Sequence, residues 1–191
     1  MAAADYAREV HAADTRKGSG EPYFEGHLAP VADTVAAHGG TPEQVDAAYL
    51  HDAAEDHGGQ ARLDDIRARF GDAVADIVAD LSDSLVDTDA GEQKADWHVR
   101  KRAYLAAMHA KPDASLAVAA ADKLHNATAI VEDHERFGED LWSRFTTGSG
   151  EDQRWYYESL VAVLTERLPD HPTVVRLVDV VRRLGEHLDA R

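Results

Sequence analysis

The stretch "LHDAAEDHGG", residues 50–59, sets His51, Asp52, Glu55 and Asp56 inside an otherwise apolar helical run. On an α-helix positions four apart stack on one face. His51 then lies over Glu55 and Asp52 over Asp56, which gathers one imidazole and three carboxylates on one side. Carboxylates so close repel and raise one another's pKa, and a divalent cation removes that conflict. Imidazole mixed with carboxylate suits Mn²⁺, Fe²⁺ or Zn²⁺. A thiolate site is excluded because the chain has no cysteine. The bland alternative is a solvated acidic helix end that contains a histidine.

Two further stretches offer donors. "PYFEGHLAPVA" puts His27 at the start of an apolar helix, where by itself it reads as an N-terminal or core histidine. "VAAADKLHNA" puts Asp122 in mid-helix directly after "LAVAAA". A lone carboxylate buried there costs several kcal/mol unless it is paired, and a metal or Lys123 could compensate it. His27, His51, Asp52 and Asp122 together make a candidate two-His, two-Asp metal site. Asn126, one turn beyond Asp122 on the same face, is placed to hydrogen-bond a substrate. His57, His98 and His125 read as surface or packing residues, with His125 a weak candidate for contact behind the metal. Trp97, Trp142 and Trp155 read as packing residues.

The elements that must position these groups are helical. Apolar residues recur at three- and four-residue steps and strand signals are nearly absent. The periodicity predicts helices over about residues 3–14 and 27–38. A third runs from Pro42 to His57, where Thr41 and Gln44 form a capping box with Pro42 at the first helical position. Two shorter helices, 63–71 and 72–83, follow, then one near 95–110 and a long one starting at Pro112-Asp113 and running to 137. The last two begin near Gln153 and Thr173. Without a repeat or a low-complexity linker, residues 1–191 read as a single all-α domain.

The formal net charge of −16 argues against a nucleic-acid binder, which needs a basic face. It also means that a polyanionic substrate needs local rescue by a metal or by clustered Lys and Arg. There is no run of eighteen apolar residues and no signal-peptide core, so the expectation is a soluble, cytoplasmic protein with no membrane partner. Its oligomeric state is open.

The pieces "RKGSGEPYFEGH", "AAYLHDAAEDHG", "IRARFGDAVADIV", "RKRAYL" and "AADKLHN" together resemble the HD phosphohydrolase superfamily. In order and spacing, over about residues 5–130, the chain is similar to the hydrolase domain of RelA/SpoT-type alarmone enzymes and their small stand-alone relatives. The resemblance implies a bundle of roughly ten helices, one Mn²⁺, and removal of the 3′-pyrophosphate from (p)ppGpp. It implies that His27, His51, Asp52 and Asp122 hold the metal and that Glu55 and Asp56 are the catalytic pair. Arg16 and Lys17 would line the nucleotide pocket, Asn126 would contact ribose or phosphate, and Tyr156 would be a later aromatic contact. Two segments depart from the family pattern. "LSDSLVDTDAGEQKADW" stands where Thr and Lys are usual, with Lys94 a possible substitute, and "DHERFGEDLWSRFTTGSGEDQ" is longer and more acidic. Other readings are cleavage of (p)ppApp or of the 2′-phosphate of NADPH, a non-catalytic nucleotide sensor, and an acidic helical scaffold.

Overall fold

The computed structural model describes residues 1–16, 18–147 and 149–189. The described residues form helices α1 (Ala3–Val10), α2 (Ala29–Ala37), α3 (Pro42–Leu50), α4 (Ala53–Asp56) and α5 (Gly59–Phe70) in the first half. The second half holds α6 (Asp72–Leu81), α7 (Trp97–Met108), α8 (Asp113–Phe137), α9 (Gly150–Arg167) and α10 (Pro172–Asp189). A π-helical turn, Phe24–Leu28, leads into α2, and a 3-10 turn, Gly138–Arg144, follows α8. The all-α expectation is met: among the described residues the β-type pairing is the isolated Thr15–Pro22 bridge.

Local chemistry sets most boundaries. At the start of α3, Gln44 N–H donates to Thr41 Oγ1 at 3.3 Å, and Gln44 Oε1 accepts from Thr41 N–H at 2.9 Å. This is the reciprocal cap read from "TPEQ". The first helix stops at Val10, short of the expected 14, because the chain turns into the Thr15–Pro22 bridge. There Tyr23 N–H donates to Asp14 O and Arg16 N–H to Glu21 O, both at 2.9 Å. The helix expected from 42 to 57 is interrupted by a turn at His51-Asp52. The last two helices begin at Gly150 and Pro172, α9 three residues earlier than expected because Ser149 Oγ caps it by accepting from Asp152 N–H.

Helix α8 serves two apolar cores at once. Val118, Ala119 and Ala121 pack with buried residues of α1 to α6, among them Ala7, Val31, Ala47, Ala54, Ile66 and Val78. Leu116, Ala120, Leu124, Ala127 and Val131 pack with α7, α9 and α10 through residues such as Met108, Leu160, Leu164, Leu177 and Leu184. Each fully buried leucine contributes roughly 1.5–3 kcal/mol of transfer free energy. The alanines on α8 let its neighbours approach closely, so Asp122 lies in a narrow seam between the two cores.

Candidate metal centre and cleft

Each candidate donor is held by its own local device. His27 sits in the π-helical turn, in which Ala29 N–H reaches back to Phe24 O. Pro30 has no N–H to give, and its ring would crowd the carbonyl four residues back in a regular helix; the wider turn relieves that conflict. His51 ends α3, with Nδ1–H donated to Ala48 O at 2.8 Å. A carbonyl only accepts, so the Nε2 of neutral His51 is left as a lone pair. Asp52 Oδ2 accepts from Tyr23 Oη at 2.7 Å. Asp122 Oδ1 accepts from Asn126 Nδ2 and its Oδ2 from Lys123 Nζ, both at 2.6 Å.

These four side chains from three segments meet. His27 Nε2 is 3.2 Å from His51 Nε2, 3.4 Å from Asp52 Oδ2 and 3.3 Å from Asp122 Oδ1. His51 Nε2 is 3.1 Å from Asp52 Oδ2 and 3.5 Å from Asp122 Oδ1. His27, His51 and Asp122 are buried and mutually close enough to share one ion, and Asp52 reaches both imidazoles. Spacings of this size are those between neighbouring ligands of an ion bound at about 2.0–2.2 Å. The N₂O₂ donor set and its spacing therefore fit a divalent cation.

The charges around the centre support one another. Burial opposes ionisation of Asp122, but Lys123 and then His51 outweigh it and hold the carboxyl well below the usual range. Burial likewise opposes ionisation of Asp52, and His51 and His27 outweigh it. His51 is disfavoured as a cation by burial, yet the Asp52 and Asp122 carboxylates push its pKa well up. The cluster thus attracts positive charge strongly.

Glu55 and Asp56 lie together on the short α4, directly after the turn at His51-Asp52. Glu55 Oε2 accepts from Asp83 N–H and its Oε1 from Lys94 Nζ, both at 3.0 Å. Lys94 Nζ is also 3.7 Å from Asp56 Oδ1. Burial raises the Glu55 pKa, with Asp83 and Asp52 adding to the rise. Asp56 faces a cleft of about 660 Å³, and burial followed by Asp52 and Glu55 pushes its carboxyl up to about 7.

Arg16, Tyr23, Asn126 and Tyr157 also line that cleft. Arg16 Nη2 donates to Asn126 Oδ1 at 3.1 Å, so a relay runs from Arg16 through Asn126 to Asp122. Tyr156 is buried and lines a smaller adjoining hollow of about 250 Å³ with Lys101 and Lys123, and its neighbour Tyr157 borders both spaces. Lys17 lies outside the described residues.

A family model described as HD domain matches residues 3–147. The chain belongs to the HD-domain family. HD domains bind divalent metals, and the buried His/Asp cluster here has the donors to hold one. The solved structure of lmo0812 from Listeria monocytogenes EGD-e is 28% identical at a TM-score of 0.67, covering 82% of this chain and 96% of that one. A metazoan ortholog of SpoT that hydrolyzes ppGpp is 21% identical at a TM-score of 0.73, covering 96% of this chain and 93% of that one. At that identity the second likeness shows the fold. No curated protein matches the chain.

Contacts of three residues in this HD domain escape the sequence reading. His125, by sequence a packing residue or a weak contact behind the metal, has Nδ1 2.9 Å from His27 Nδ1. Its position three residues after Asp122 on one helix was the available signal. Tyr23 binds Asp52 across 29 residues, and no local pattern announces that. His57 has Nε2 2.7 Å from Asp14 Oδ2 and Nδ1 3.3 Å from Asp89 Oδ2. Among the described residues no helix is long and apolar enough to cross a membrane.

Proposed function

We propose that this HD-domain protein is an Mn²⁺-dependent phosphohydrolase that removes the 3′-pyrophosphate of (p)ppGpp in the cytoplasm, yielding GDP or GTP and pyrophosphate, and that residues 1–191 act as a single domain. The observation that carries the reading is the convergence of His27, His51, Asp52 and Asp122 beside a cleft that holds Asp56, Arg16 and Asn126. The nucleotide assignment draws on the ordered motifs and on the likeness to the SpoT ortholog that hydrolyzes ppGpp.

In this reading the four donors hold the cation, which supplies Lewis acidity at a phosphoryl oxygen and makes a water more acidic. Asp56, with its carboxyl near 7 and open to the cleft, accepts a proton from the attacking water or delivers one to the leaving 3′-oxygen. Glu55 holds Lys94 beside Asp56. Arg16 offsets substrate charge at the cleft wall, and Asn126 keeps Arg16 in register with Asp122. Tyr156 is assigned to a purine or ribose contact in the adjoining hollow.

Incubation of Mn²⁺-loaded protein with a panel of nucleotides, products resolved by mass, tests the reading. Pyrophosphate with GDP or GTP is expected. Orthophosphate from NADPH, or pyrophosphate only from (p)ppApp, replaces the substrate, and binding without turnover makes the protein a sensor. Asp56→Asn should lower kcat by 10²-fold or more while cation binding persists.

A further inference from the structure

A second group of donors lies outside the centre described above. His11 follows α1, Asp14 is in the loop beyond it, and His57 follows α4. Asp14 Oδ2 is 2.7 Å from both His11 Nδ1 and His57 Nε2, and the three donor atoms are close enough to share one ion. We propose that His11, Asp14 and His57 form a second divalent-cation site. It takes a borderline d-block ion such as Zn²⁺ or Co²⁺ through His11 Nδ1, Asp14 Oδ2 and His57 Nε2. This inference does not rest on the hydrolase reading.

Two imidazoles and one carboxylate are a donor set that such ions accept, with a remaining position left for water or another ligand. The remaining position faces the cleft, because Asp14 and His57 both line it. His57 is already oriented from behind: its Nδ1 stands 3.3 Å from Asp89 Oδ2, the carboxylate–histidine arrangement that fixes a ligating imidazole. His11 is held rigidly, its side chain wholly buried and its ring 5.2 Å from that of Tyr23. Its Nε2 has no hydrogen-bond partner among the described residues, and with Nδ1 as the ligating lone pair it is the nitrogen that carries the ring's proton. The present 2.7 Å separations are hydrogen-bond lengths. Tetrahedral ligands at about 2.0–2.1 Å stand roughly 3.3 Å apart, so a bound ion spreads them by about 0.6 Å, a movement that the partly exposed Asp14 and His57 side chains can make. The site is distinct from the first but adjacent to it: Tyr23, whose ring also lies 5.2 Å from that of His27, bridges the two groups.

Titration of the full chain with Co²⁺ alone, followed by calorimetry and visible absorption, is the test. Wild-type protein should take up two equivalents, and His57→Gln and Asp14→Asn one each. Asp89→Asn should keep both but weaken the second about 10-fold. Uptake of a single ion by wild type, or two ions by both His57→Gln and Asp14→Asn, overturns the proposal. Should the variants misfold, ¹⁵N-histidine NMR of wild type with Zn²⁺ decides: the His11 Nδ1 and His57 Nε2 resonances must shift, and their constancy overturns it. Two bound ions without nucleotide hydrolysis would sink the proposed function and leave this site standing; hydrolysis with one ion would do the reverse.

Discussion

His125 Nδ1 lies 2.9 Å from His27 Nδ1, with the two ring centroids 4.9 Å apart. One of the two nitrogens must carry the proton. Burial, then His27 and Arg16, pushes the His125 pKa down to about 4, so its ring is neutral at pH 7. When His125 Nδ1 accepts, His27 donates from Nδ1 and presents its Nε2 lone pair to His51, Asp52 and Asp122. With His27 ligating through Nε2, helix α8 supplies both Asp122 and the acceptor for the His27 Nδ1 proton.

That relationship predicts a large effect without loss of any donor. His125→Phe should weaken Mn²⁺ binding by 10- to 100-fold, the usual effect of removing a ligand's outer partner, while circular dichroism stays unchanged. Unaltered affinity by calorimetry would show that His27 needs no orienting group.

Lys123 gives a second prediction. Its Nζ is 2.6 Å from Asp122 Oδ2, and the side chain is mostly buried. Removing one partner of a buried pair costs about 3–5 kcal/mol. Lys123→Met should therefore lower Tm strongly in chelator. Excess Mn²⁺ should restore part of the loss, because a cation bound by the folded state adds about 2.7 kcal/mol at one hundred times its Kd. Equal melting curves with Mn²⁺ and with chelator would contradict a cation site at Asp122.

Acid stability follows from Asp83. Its side chain is buried against Lys101 Nζ at 2.7 Å and against Arg100. Burial opposes ionisation, but Lys101 and Arg100 outweigh it and bring the pKa from 3.8 to about 2. A depressed carboxyl stabilises the fold above its unfolded pKa, and that contribution disappears as pH falls through the folded value. About 2 kcal/mol should be lost between roughly pH 4 and 2. Urea titrations across that window should show the loss in wild type and a shallower one in Asp83→Asn, which is less stable at pH 7 because Lys101 is left without its acid.

How much of this was legible depended on how local each cause is. The Thr41–Gln44 cap and the start of α8 are written in adjacent residues, and the structure has both where the sequence places them. The pattern around Asp122 was legible because a carboxylate after three alanines needs a reason. The turn at His51-Asp52 and the π-helical turn at His27 were not, since helical periodicity says nothing about where a helix changes pitch. Residues 82–96, between α6 and α7, carry no periodicity, so the contact of Lys94 with Glu55 emerges only from the packed chain.

Two adjacent glycines test how that segment is placed. Gly58 and Gly59 both have positive φ, 76° and 54°. A Cβ at Gly58 would meet Arg62 Cβ at 3.5 Å, an ordinary contact. At Gly59 it would run into the Leu85 carbonyl and lie 2.9 Å from Asp87 N. Gly58→Ala thus carries only the left-handed backbone strain, about 1 kcal/mol. Gly59→Ala carries that strain and also displaces residues 85–87, breaking the 3.1 Å hydrogen bond from Gln60 N–H to Leu85 O. A destabilisation of at least 2–3 kcal/mol is expected. The displacement should pull Lys94 away from Glu55 and open residues 82–96 to limited proteolysis. If the two variants melt together and resist protease equally, the crossing of residues 85–87 over Gly59 does not hold that segment against the site.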